Sequence, residues 1–338
     1  MSSRWERYSR QMLFAPIGEA GQRQLSGKCV CVIGVGALGS VIANHLVRAG
    51  VGHVRIADRD YVEESNLQRQ MLFDEEDVKL TLPKAVAAER KLRKINSDVQ
   101  VEGIVVDVTK ETVGSLIEDV DLVVDGTDNF STRFLLNDAC FQKEIPFVYG
   151  GAVASRGMTA MFVPGETPCL RCMIPESGGN GQTCDTVGVL SPVVDVAASF
   201  QATETLKYLI GAKDHRRNTL LTFDLWENRF YEMAFSKPKA DCPTCQQKIF
   251  PSLNESGNEV TSLCGRETVQ IHLQQAFELD EWAGRLSPAA KVTKTPFLLR
   301  VELSEGERLV LFPDGRTLVQ GTEDLTRAKS LYARYIGM

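Results

Sequence analysis

Two pairs of cysteines, each pair separated by two residues, are the first feature of this chain that could do chemistry. They are Cys169 with Cys172 and, much later in the chain, Cys242 with Cys245. Each CxxC turn can present two thiolates, and four thiolates suit a tetrahedral zinc ion with no open position for water or substrate. A redox pair and four incidental cysteines are the alternatives. The coincidence of two such pairs favours a structural zinc site that ties the middle of the chain to a distant segment.

A glycine-rich segment earlier in the chain indicates nucleotide binding. Gly34, Gly36 and Gly39 follow a strand-like apolar run and open a helical segment, so the backbone can approach a phosphate or ribose near a helix N-terminus. Asp58 ends the next strand-like run, where a carboxylate can accept hydrogen bonds from ribose hydroxyls. The plain alternative is a tight strand-to-helix turn. The pattern by itself does not distinguish NAD, FAD, ATP or a methyl donor.

Charged residues after this segment indicate which of those ligands the chain binds. Arg69 follows Asp58 closely, Lys84 begins the next helical segment, and Asp128 follows a later strand-like run. Hydride transfer leaves the cofactor's phosphates intact, whereas cleavage of ATP between its α and β phosphates builds up charge that cations and magnesium neutralise. Asp128 is placed to hold that magnesium. The alternative is a solvated loop with surface charges and an aspartate that caps a helix.

The elements that must position these residues follow from the apolar periodicity between residues 28 and 149. Strand-like runs alternate with helical segments, which is typical of parallel strands joined by crossover helices. The sequence therefore predicts an α/β fold with a doubly wound, Rossmann-like, mostly parallel sheet. The predicted strands are 29–33, 54–57, 99–105, 122–124 and 147–149, and the predicted helices are 37–49, 83–95 and 131–143.

The sequence after residue 149 predicts further elements of this first unit, followed by a second, smaller unit. Further predicted elements of the first are strands 159–163, 220–223 and 230–233 and a helix over 193–209. A composition shift at 251–258 indicates a linker. Beyond it, strands 269–271, 297–303, 309–312 and 317–320 with a helix over 325–335 predict a small antiparallel sheet closed by a helix. We therefore expect a domain at 1–248, a linker at 249–260 and a small α+β domain at 261–338.

Composition excludes several classes of protein. With 338 residues, 43% hydrophobic and 24% charged, the chain has an ordinary globular composition. Its net charge of -6 gives no general attraction to nucleic acid or an anionic membrane. Because no apolar run approaches the roughly 18 residues needed to span a bilayer, we expect a cytoplasmic protein. Reduced thiols there favour metal binding or catalysis over a disulfide framework for the nine cysteines, among which Cys29, Cys31 and Cys140 are expected in the core.

In this order, the motifs resemble the adenylating family that includes ThiF, MoeB and the catalytic domain of ubiquitin-activating enzymes. The resemblance covers residues 5–248 and depends on segment 7–11, the glycine loop, Asp58, segment 65–70, Lys84, segment 127–129 and both CxxC pairs. It implies that the protein uses ATP to adenylate the C-terminal glycine carboxylate of a small ubiquitin-fold sulfur-carrier protein, with release of pyrophosphate. ATP is then a substrate, Mg²⁺ assists it, and Zn²⁺ is structural.

The resemblance also assigns roles by position. Asp58 would hold the ribose, and Asp128 the magnesium. The implied ATP-binding residues are Gly34, Gly36, Gly39, Asp58, Asn66, Arg69, Lys84, Asp128 and Asn129, of which Asn66, Arg69 and Lys84 would hold the phosphates. Because the family is dimeric, Arg10 would reach into the partner subunit's active site. Without the resemblance, segment 7–11 predicts only a basic, solvent-facing N-terminal helix.

Two further cysteines raise the question of sulfur chemistry. In the resembled family a cysteine at the position of Cys184 can form a covalent link with the activated carrier or take part in sulfur transfer, and a thiolate beside an adenylate is a credible nucleophile. A plain loop cysteine is the alternative. For Cys264, in the last segment, a buried strand end is favoured over a sulfur relay. The small domain itself could dock the carrier or protect an edge of the larger one.

Four functions remain open at this point. A ThiS-like carrier in thiamine thiazole synthesis comes first, because Cys184 and the tail fit ThiF-like chains, and a MoaD-like carrier in molybdopterin synthesis comes second. An NAD-dependent oxidoreductase would use the same glycine loop but leaves Arg69, Lys84 and the CxxC pairs unexplained. A non-catalytic scaffold that binds the carrier is the last. The expected partners are the carrier, a second copy of the chain, and a cysteine desulfurase or other sulfur donor.

Overall fold

The structure, a computed structural model, describes residues 3–174, 187–235, 237–254, 260–263, 267–272 and 276–337. Of these, residues 3–174 and 188–254 form one compact unit, and residues from 260 onward form a second together with Val187. The change from the larger to the smaller unit falls between residues 254 and 260, whereas residues 251–254, which were expected in the linker, form a helix of the larger unit. None of the helices among these residues is long and apolar enough to cross a membrane.

An eight-stranded sheet is the framework of the larger unit. Its strands are β1 (Cys29–Ile33), β2 (His53–Asp58), β3 (Gln100–Val105), β4 (Leu122–Asp125), β5 (Phe147–Val153), β6 (Arg156–Phe162), β7 (Thr219–Asp224) and β8 (Arg229–Ala234). They lie in the order β3-β2-β1-β4-β5-β6-β7-β8. The first five are parallel and the last three are added antiparallel. The prediction of a doubly wound, mostly parallel α/β sheet is confirmed.

Helices cover both faces of this sheet. They are α1 (Ser9–Met12), α2 (Gly18–Leu25), α3 (Ala37–Ala49), α4 (Glu75–Lys79), α5 (Lys84–Ile95), α6 (Val113–Leu116), α7 (Phe130–Gln142), α8 (Leu170–Met173), α9 (Ser191–Leu209) and α10 (Pro251–Asn254). The strand order reverses at β1, so α3 and α5 cover one face and α7 covers the other. On the α7 face, Ile33 of β1 and Val123 of β4 pack with Leu136. Helix α9 packs against α3, β5 and β6.

Local sequence signals account for the ends of the helices nearest the candidate site. Helix α3 ends at Gly50, which adopts the left-handed conformation (φ 80°) that suits glycine after a helix. Helix α5 begins directly after Pro83, which has no backbone N–H that would need a partner at the helix N-terminus. Helix α7 is capped by Asn129, whose side chain accepts a hydrogen bond from the backbone N–H of Thr132 at 2.9 Å.

The N-terminal segment differs from the solvent-facing helix that the sequence alone suggested. A 3-10 helix over Ser3–Tyr8 leads into α1, and Tyr8 is buried with its hydroxyl accepting a hydrogen bond from Asn96 at 2.8 Å. A Cβ at Gly50 would lie 2.5 Å from the Tyr8 ring. Gln11 donates a hydrogen bond to the carbonyl of Ala49 at 2.9 Å. The segment is therefore anchored on the C-terminal ends of α3 and α5.

Strand β5 is longer than expected because glycines interrupt its apolar pattern. The predicted strand stopped at residue 149, whereas β5 continues through Gly150 and Gly151 and turns directly into β6. The short helices α2, α4 and α6 were not anticipated, since a helix of one or two turns leaves little periodicity in the sequence.

The smaller unit contains a six-stranded antiparallel sheet in the order β11-β12-β13-β14-β10-β9. Its elements are β9 (Val260–Leu263), β10 (Thr268–His272), α11 (Leu279–Leu286), β11 (Lys291–Lys294), β12 (Leu299–Glu302), β13 (Arg308–Leu311), β14 (Arg316–Gln320) and α12 (Leu325–Tyr335). Alternate residues of the strands pack with Leu331 and Tyr332 of α12 in one hydrophobic core. The predicted small sheet with a closing helix is present, although β9, β11 and α11 were not predicted.

Candidate active site

Three glycines allow two loops to meet at the carboxyl edge of the sheet. Gly34 has a φ of 80°, and a Cβ at Gly39 would lie 1.8 Å from the Gly34 carbonyl oxygen. A Cβ at Gly126, which follows β4, would lie 2.2 Å from the same oxygen. The loops after β1 and β4 are thus in direct backbone contact at the point where the strand order reverses, the usual ligand position in such sheets. Gly126 was missed as a site residue, although it lies two residues after the predicted strand 122–124.

Asp58 joins the glycine loop to the end of β2. Its two carboxylate oxygens accept hydrogen bonds from the backbone N–H groups of Val35, at 2.7 Å, and Asp60, at 2.8 Å. Burial raises the pKa of Asp58, and the positive charge of Lys84 opposes that rise. Each oxygen retains a second lone pair, so the carboxylate can still accept a hydrogen bond from a ligand hydroxyl.

Lys84 is a buried cation beside the same strand end. Its Nζ lies 3.3 Å from Oδ2 of Asp60, and its side chain is only 5% exposed. The backbone N–H of Lys84 also donates a hydrogen bond to the carbonyl of Asp60 at 2.9 Å. Asp60 was not singled out from the sequence, where it is one of several acidic residues after β2. The pair fixes the position of the ammonium group next to Asp58.

Residues 63–70 form a compact segment after β2. Asn66 is buried in a 3-10 helix, and its amide oxygen accepts a hydrogen bond from the backbone N–H of Glu63 at 3.1 Å. Arg69 donates a hydrogen bond to the carbonyl of Ser65 at 3.0 Å. Gln70 is buried, and its Nε2 lies 3.7 Å from the position of a Cβ on Gly36. Gln70, which was not predicted as a site residue, therefore faces the glycine loop.

The loop between β4 and α7 carries an exposed carboxylate. Asp128 is exposed at its tip, and the capping interaction considered for an aspartate is made instead by Asn129. Behind Asp128, the buried carboxylate of Asp125 accepts hydrogen bonds from the N–H of Thr127 at 2.8 Å and from its hydroxyl at 2.6 Å. Burial raises the pKa of Asp125, and the adjacent Arg133 opposes the rise.

The structure brings most of the predicted nucleotide residues to one edge of the sheet. Gly34, Gly36, Gly39, Asp58, Lys84, Asp128 and Asn129 all lie at or directly after the carboxyl ends of β1, β2 and β4, or at the start of the helix that follows. Asn66 lies in segment 63–70. Arg69 lies in the segment that follows β2. Arg10 lies apart from them in α1, with an exposed side chain. Cys184 and Cys264 lie outside the described residues.

The four cysteines of the two CxxC pairs come together in one cluster. The Sγ atoms of Cys169 and Cys242 are 3.5 Å apart, those of Cys172 and Cys245 are 3.5 Å apart, and all four lie within 4.8 Å of one another. It is the one group of metal-ligating residues found in the described part of the chain. Burial is the largest cause that raises the pKa of Cys245 to about 12, whereas hydrogen bonds from the backbone of Cys245 and from the other thiols outweigh burial and lower the pKa of Cys242.

Three comparisons with known proteins bear on this site. The sequence profile of the ThiF family matches residues 8–244. A Bacillus subtilis (strain 168) protein named sulfur carrier protein ThiS adenylyltransferase is 50% identical over 336 residues, which are 98% of this chain and 99% of the relative. A Culex quinquefasciatus protein named adenylyltransferase and sulfurtransferase MOCS3 is 35% identical over 306 residues, 90% of this chain and 67% of the relative.

Among solved structures, the crystal structure of E. coli MccB with ATP is similar in fold. It matches 71% of this chain and 74% of its own, with a TM-score of 0.62 and 24% sequence identity. At that identity the similarity bears on the fold alone, and it agrees with the doubly wound sheet described above.

Proposed function

Because the chain belongs to the ThiF family, we propose that it is an adenylyltransferase that uses ATP to adenylate the C-terminal glycine carboxylate of a ThiS-like sulfur-carrier protein, with release of pyrophosphate. The observation that carries this proposal is the match to the Bacillus subtilis ThiS adenylyltransferase, which extends through both structural units. A carboxylate is a poor electrophile, and transfer of AMP to it creates a good leaving group for later attack by sulfur.

The glycine loop and Asp58 are proposed to bind the adenosine part of ATP. Because Gly34 and Gly126 have no side chains, their backbones can meet in the floor of the site. The N-terminus of α3 faces this floor. Asp58 is held by two backbone N–H groups and keeps lone pairs for the ribose hydroxyls. Gln70, buried beside Gly36, is a further candidate contact.

Lys84, Arg69 and Asn66 are proposed to bind the phosphates. The carboxylate of the carrier and the α-phosphate are both anions, and their approach costs electrostatic energy that fixed cations offset. Lys84 suits this role because its ammonium group is already buried and held at Asp60, so little reorganisation is needed when ATP binds. Asn66 uses its amide oxygen within the chain, which leaves its N–H donors for a phosphate.

Asp128 is proposed to bind the magnesium ion that accompanies ATP. Its exposed carboxylate fits the preference of Mg²⁺ for oxygen ligands shared with substrate phosphates. The ion would neutralise charge on the leaving pyrophosphate. Asn129 caps α7 and would act through the shape of this loop.

The cysteine cluster is proposed to hold a structural zinc ion. In a tetrahedral site with Zn–S bonds of about 2.3 Å, sulfur atoms are about 3.8 Å apart. The Sγ separations of 3.5 and 4.0 Å among Cys169, Cys172 and Cys242 agree with that geometry. Four sulfur ligands leave no open position for a substrate.

Strand β8 is proposed as the surface on which the carrier docks. It is the edge strand of the sheet, and the apolar side chains of Tyr231 (58% exposed), Met233 (57%) and, in the turn that precedes the strand, Trp226 (74%) are exposed. Clustered exposed apolar side chains are typical of interaction sites. Four strand spacings of about 4.8 Å, about 19 Å, separate β8 from β4. An extended carrier tail of about six residues spans this distance.

Three expectations about partners are part of the proposal and depend on the family resemblance. A homodimer would let Arg10 complete the site of the partner subunit. Cys184 would attack the carboxyl carbon of the adenylated carrier, forming a thioester as AMP leaves. A sulfur donor is a partner expected on the same ground. The cytoplasmic location, by contrast, is a prediction from the absence of a long apolar run.

Exchange of labelled pyrophosphate into ATP, measured with and without a purified carrier that ends in glycine, tests the function. We expect exchange that depends on the carrier and is lost in Lys84→Ala and Arg69→Ala, while Lys79→Ala, an exposed lysine on α4, behaves like the wild type. Carrier binding without exchange would favour a scaffold, and an NAD-induced spectral change without exchange would favour an oxidoreductase. A MoaD-like carrier that works better than a ThiS-like one would favour molybdopterin synthesis, a possibility that the similarity to MOCS3 keeps open.

A further inference from the structure

Two buried polar side chains from opposite faces of the sheet converge on the residues just before Asp128. Arg133 comes from α7, and Gln201 comes from α9. We infer that Arg133 and Gln201 are positioning residues that hold the Asp128 carboxylate in place for the magnesium-bound nucleotide, although neither has a ligand role of its own. This inference rests on the proposed function.

Arg133 makes three directional contacts around the end of β4. Its Nε lies 3.1 Å from Oδ2 of Asp125, and its Nη2 donates hydrogen bonds to the carbonyls of Thr127, at 2.7 Å, and Gly150, at 3.0 Å. The guanidinium also lies over the ring of Tyr149, 5.3 Å from its centroid. Only a planar, multidentate cation can make these contacts together, so a lysine would keep the charge and lose the geometry.

Gln201 fixes the same strand end from the other face. Its Nε2 donates hydrogen bonds to the carbonyl of Asp125 at 2.7 Å and to that of Val148 at 3.4 Å, and the side chain is fully buried. A Cβ at Gly150 would lie 2.2 Å from its Cδ, so the amide fills the space that this glycine leaves. Asp125 is therefore held through its carboxylate by Arg133 and through its backbone by Gln201.

These contacts leave Asp128 between two fixed points of the backbone. On one side, the carbonyl of Thr127 is held by Arg133, and on the other, Asn129 is held by its cap to the N–H of Thr132. A ligand residue that is fixed before binding loses little conformational entropy when magnesium and ATP arrive. If the hydrogen bonds to Asp125 and Thr127 are removed, the fold can remain while the carboxylate of Asp128 becomes less well placed for the magnesium ion.

The test compares the affinity for ATP with excess magnesium and with EDTA, in full-length protein without carrier. For Arg133→Lys we expect magnesium–ATP affinity to fall about tenfold or more, the effect of one lost charge-assisted contact, with much less change in EDTA. Gln201→Met, which keeps the volume and removes the amide, should show the same pattern more weakly. In pyrophosphate exchange both variants should raise the magnesium concentration needed for half-maximal rate.

Arg55→Lys is the matched control, because Arg55 also contacts one carboxylate, that of Glu102, and two backbone carbonyls, those of Leu116 and Glu118. It lies on the same sheet away from the Asp128 loop, so it should lose thermal stability and keep the wild-type magnesium dependence. A folded Arg133→Lys protein with wild-type magnesium dependence would overturn the inference. If that variant does not fold, unchanged magnesium dependence in Gln201→Met overturns it instead. Failure of the wild type itself to bind magnesium–ATP would reject the proposed function, and this inference with it.

Discussion

Arg171, which lies inside the first CxxC pair, donates two hydrogen bonds to the carboxylate of Asp138 on α7, from Nε at 3.0 Å and from Nη2 at 2.8 Å. The same carboxylate accepts hydrogen bonds from the hydroxyl of Thr244, inside the second CxxC pair, and from the backbone N–H of Ser252 at 2.9 Å. Asp138 is completely buried. The two cysteine pairs are therefore joined by one buried carboxylate as well as by the clustering of their four thiols.

Removal of this carboxylate should destabilise the protein strongly. Asp138→Ala leaves the guanidinium of Arg171 buried without its partner, at a cost of about 3 to 5 kcal/mol. Urea unfolding of the metal-loaded protein measures the loss. Glu19→Ala is the control, because the Glu19–Arg23 pair is exposed and should contribute less than about 1 kcal/mol. Equal losses in the two variants would contradict the role of Asp138.

Loss of one cluster thiol should release the metal. We expect the purified protein to contain zinc, and Cys242→Ser to lower both its zinc content and its free energy of unfolding, because three thiolates hold the ion less tightly than four. Elemental analysis and unfolding measure the two effects. Cys29→Ser, which changes a cysteine outside the cluster, should keep the metal. Full zinc content in Cys242→Ser would show that this cysteine is not a ligand.

A methyl group at Gly39 should disrupt the nucleotide site. In Gly39→Ala the new Cβ would lie 1.8 Å from the carbonyl oxygen of Gly34, so the loop after β1 must move. We expect ATP binding, measured by calorimetry, to be lost or weakened at least tenfold, since the moved loop no longer fits the nucleotide. Gly114→Ala, in α6, meets no atom within 4 Å and should bind ATP normally. Normal binding in Gly39→Ala would argue against this loop as the nucleotide site.

Charge on strand β8 should weaken carrier binding selectively. Tyr231→Lys and Met233→Lys place cations in the proposed contact, so the KM for the carrier should rise about tenfold or more while ATP affinity stays unchanged. Ile249→Lys changes a similarly exposed apolar residue outside this strand and serves as the control. If the KM for the carrier is the same in all three variants, the carrier docks elsewhere.

Protonation of His45 should make the larger unit less stable at weakly acidic pH. Partial burial of its ring and the charge of Arg48, opposed by the charge of Asp195, lower the pKa of His45 below 6.5 in the folded protein. The unfolded chain therefore binds a proton more readily, and stability falls as the pH drops through about 6.5. The free energy of unfolding should differ less between about pH 7.5 and 5.5 in His45→Gln than in the wild type. His215→Gln, at a histidine in the 3-10 turn before β7, should keep the wild-type difference.

The sequence alone determined the order of the strands and of the longer helices in the larger unit and the residues of its main motifs. The strand 29–33 and the helices 37–49 and 325–335 were predicted at the positions where the structure has them. The two CxxC pairs and the glycine loop were likewise identified from spacing. All of these features are encoded by residues close together in the chain, through apolar periodicity, helix caps and fixed motif spacing.

Only the tertiary structure decided which distant residues meet. It brought Gly126 against Gly34, Arg133 and Gln201 onto Asp125, and Asp138 between the two CxxC pairs. Nothing near Arg133, Gln201 or Asp138 in the chain distinguishes them from ordinary helical polar residues. Their partners depend on the strand order and on which face of the sheet each helix covers. These contacts are set by the packing of the whole unit, and local sequence patterns carry no information about them.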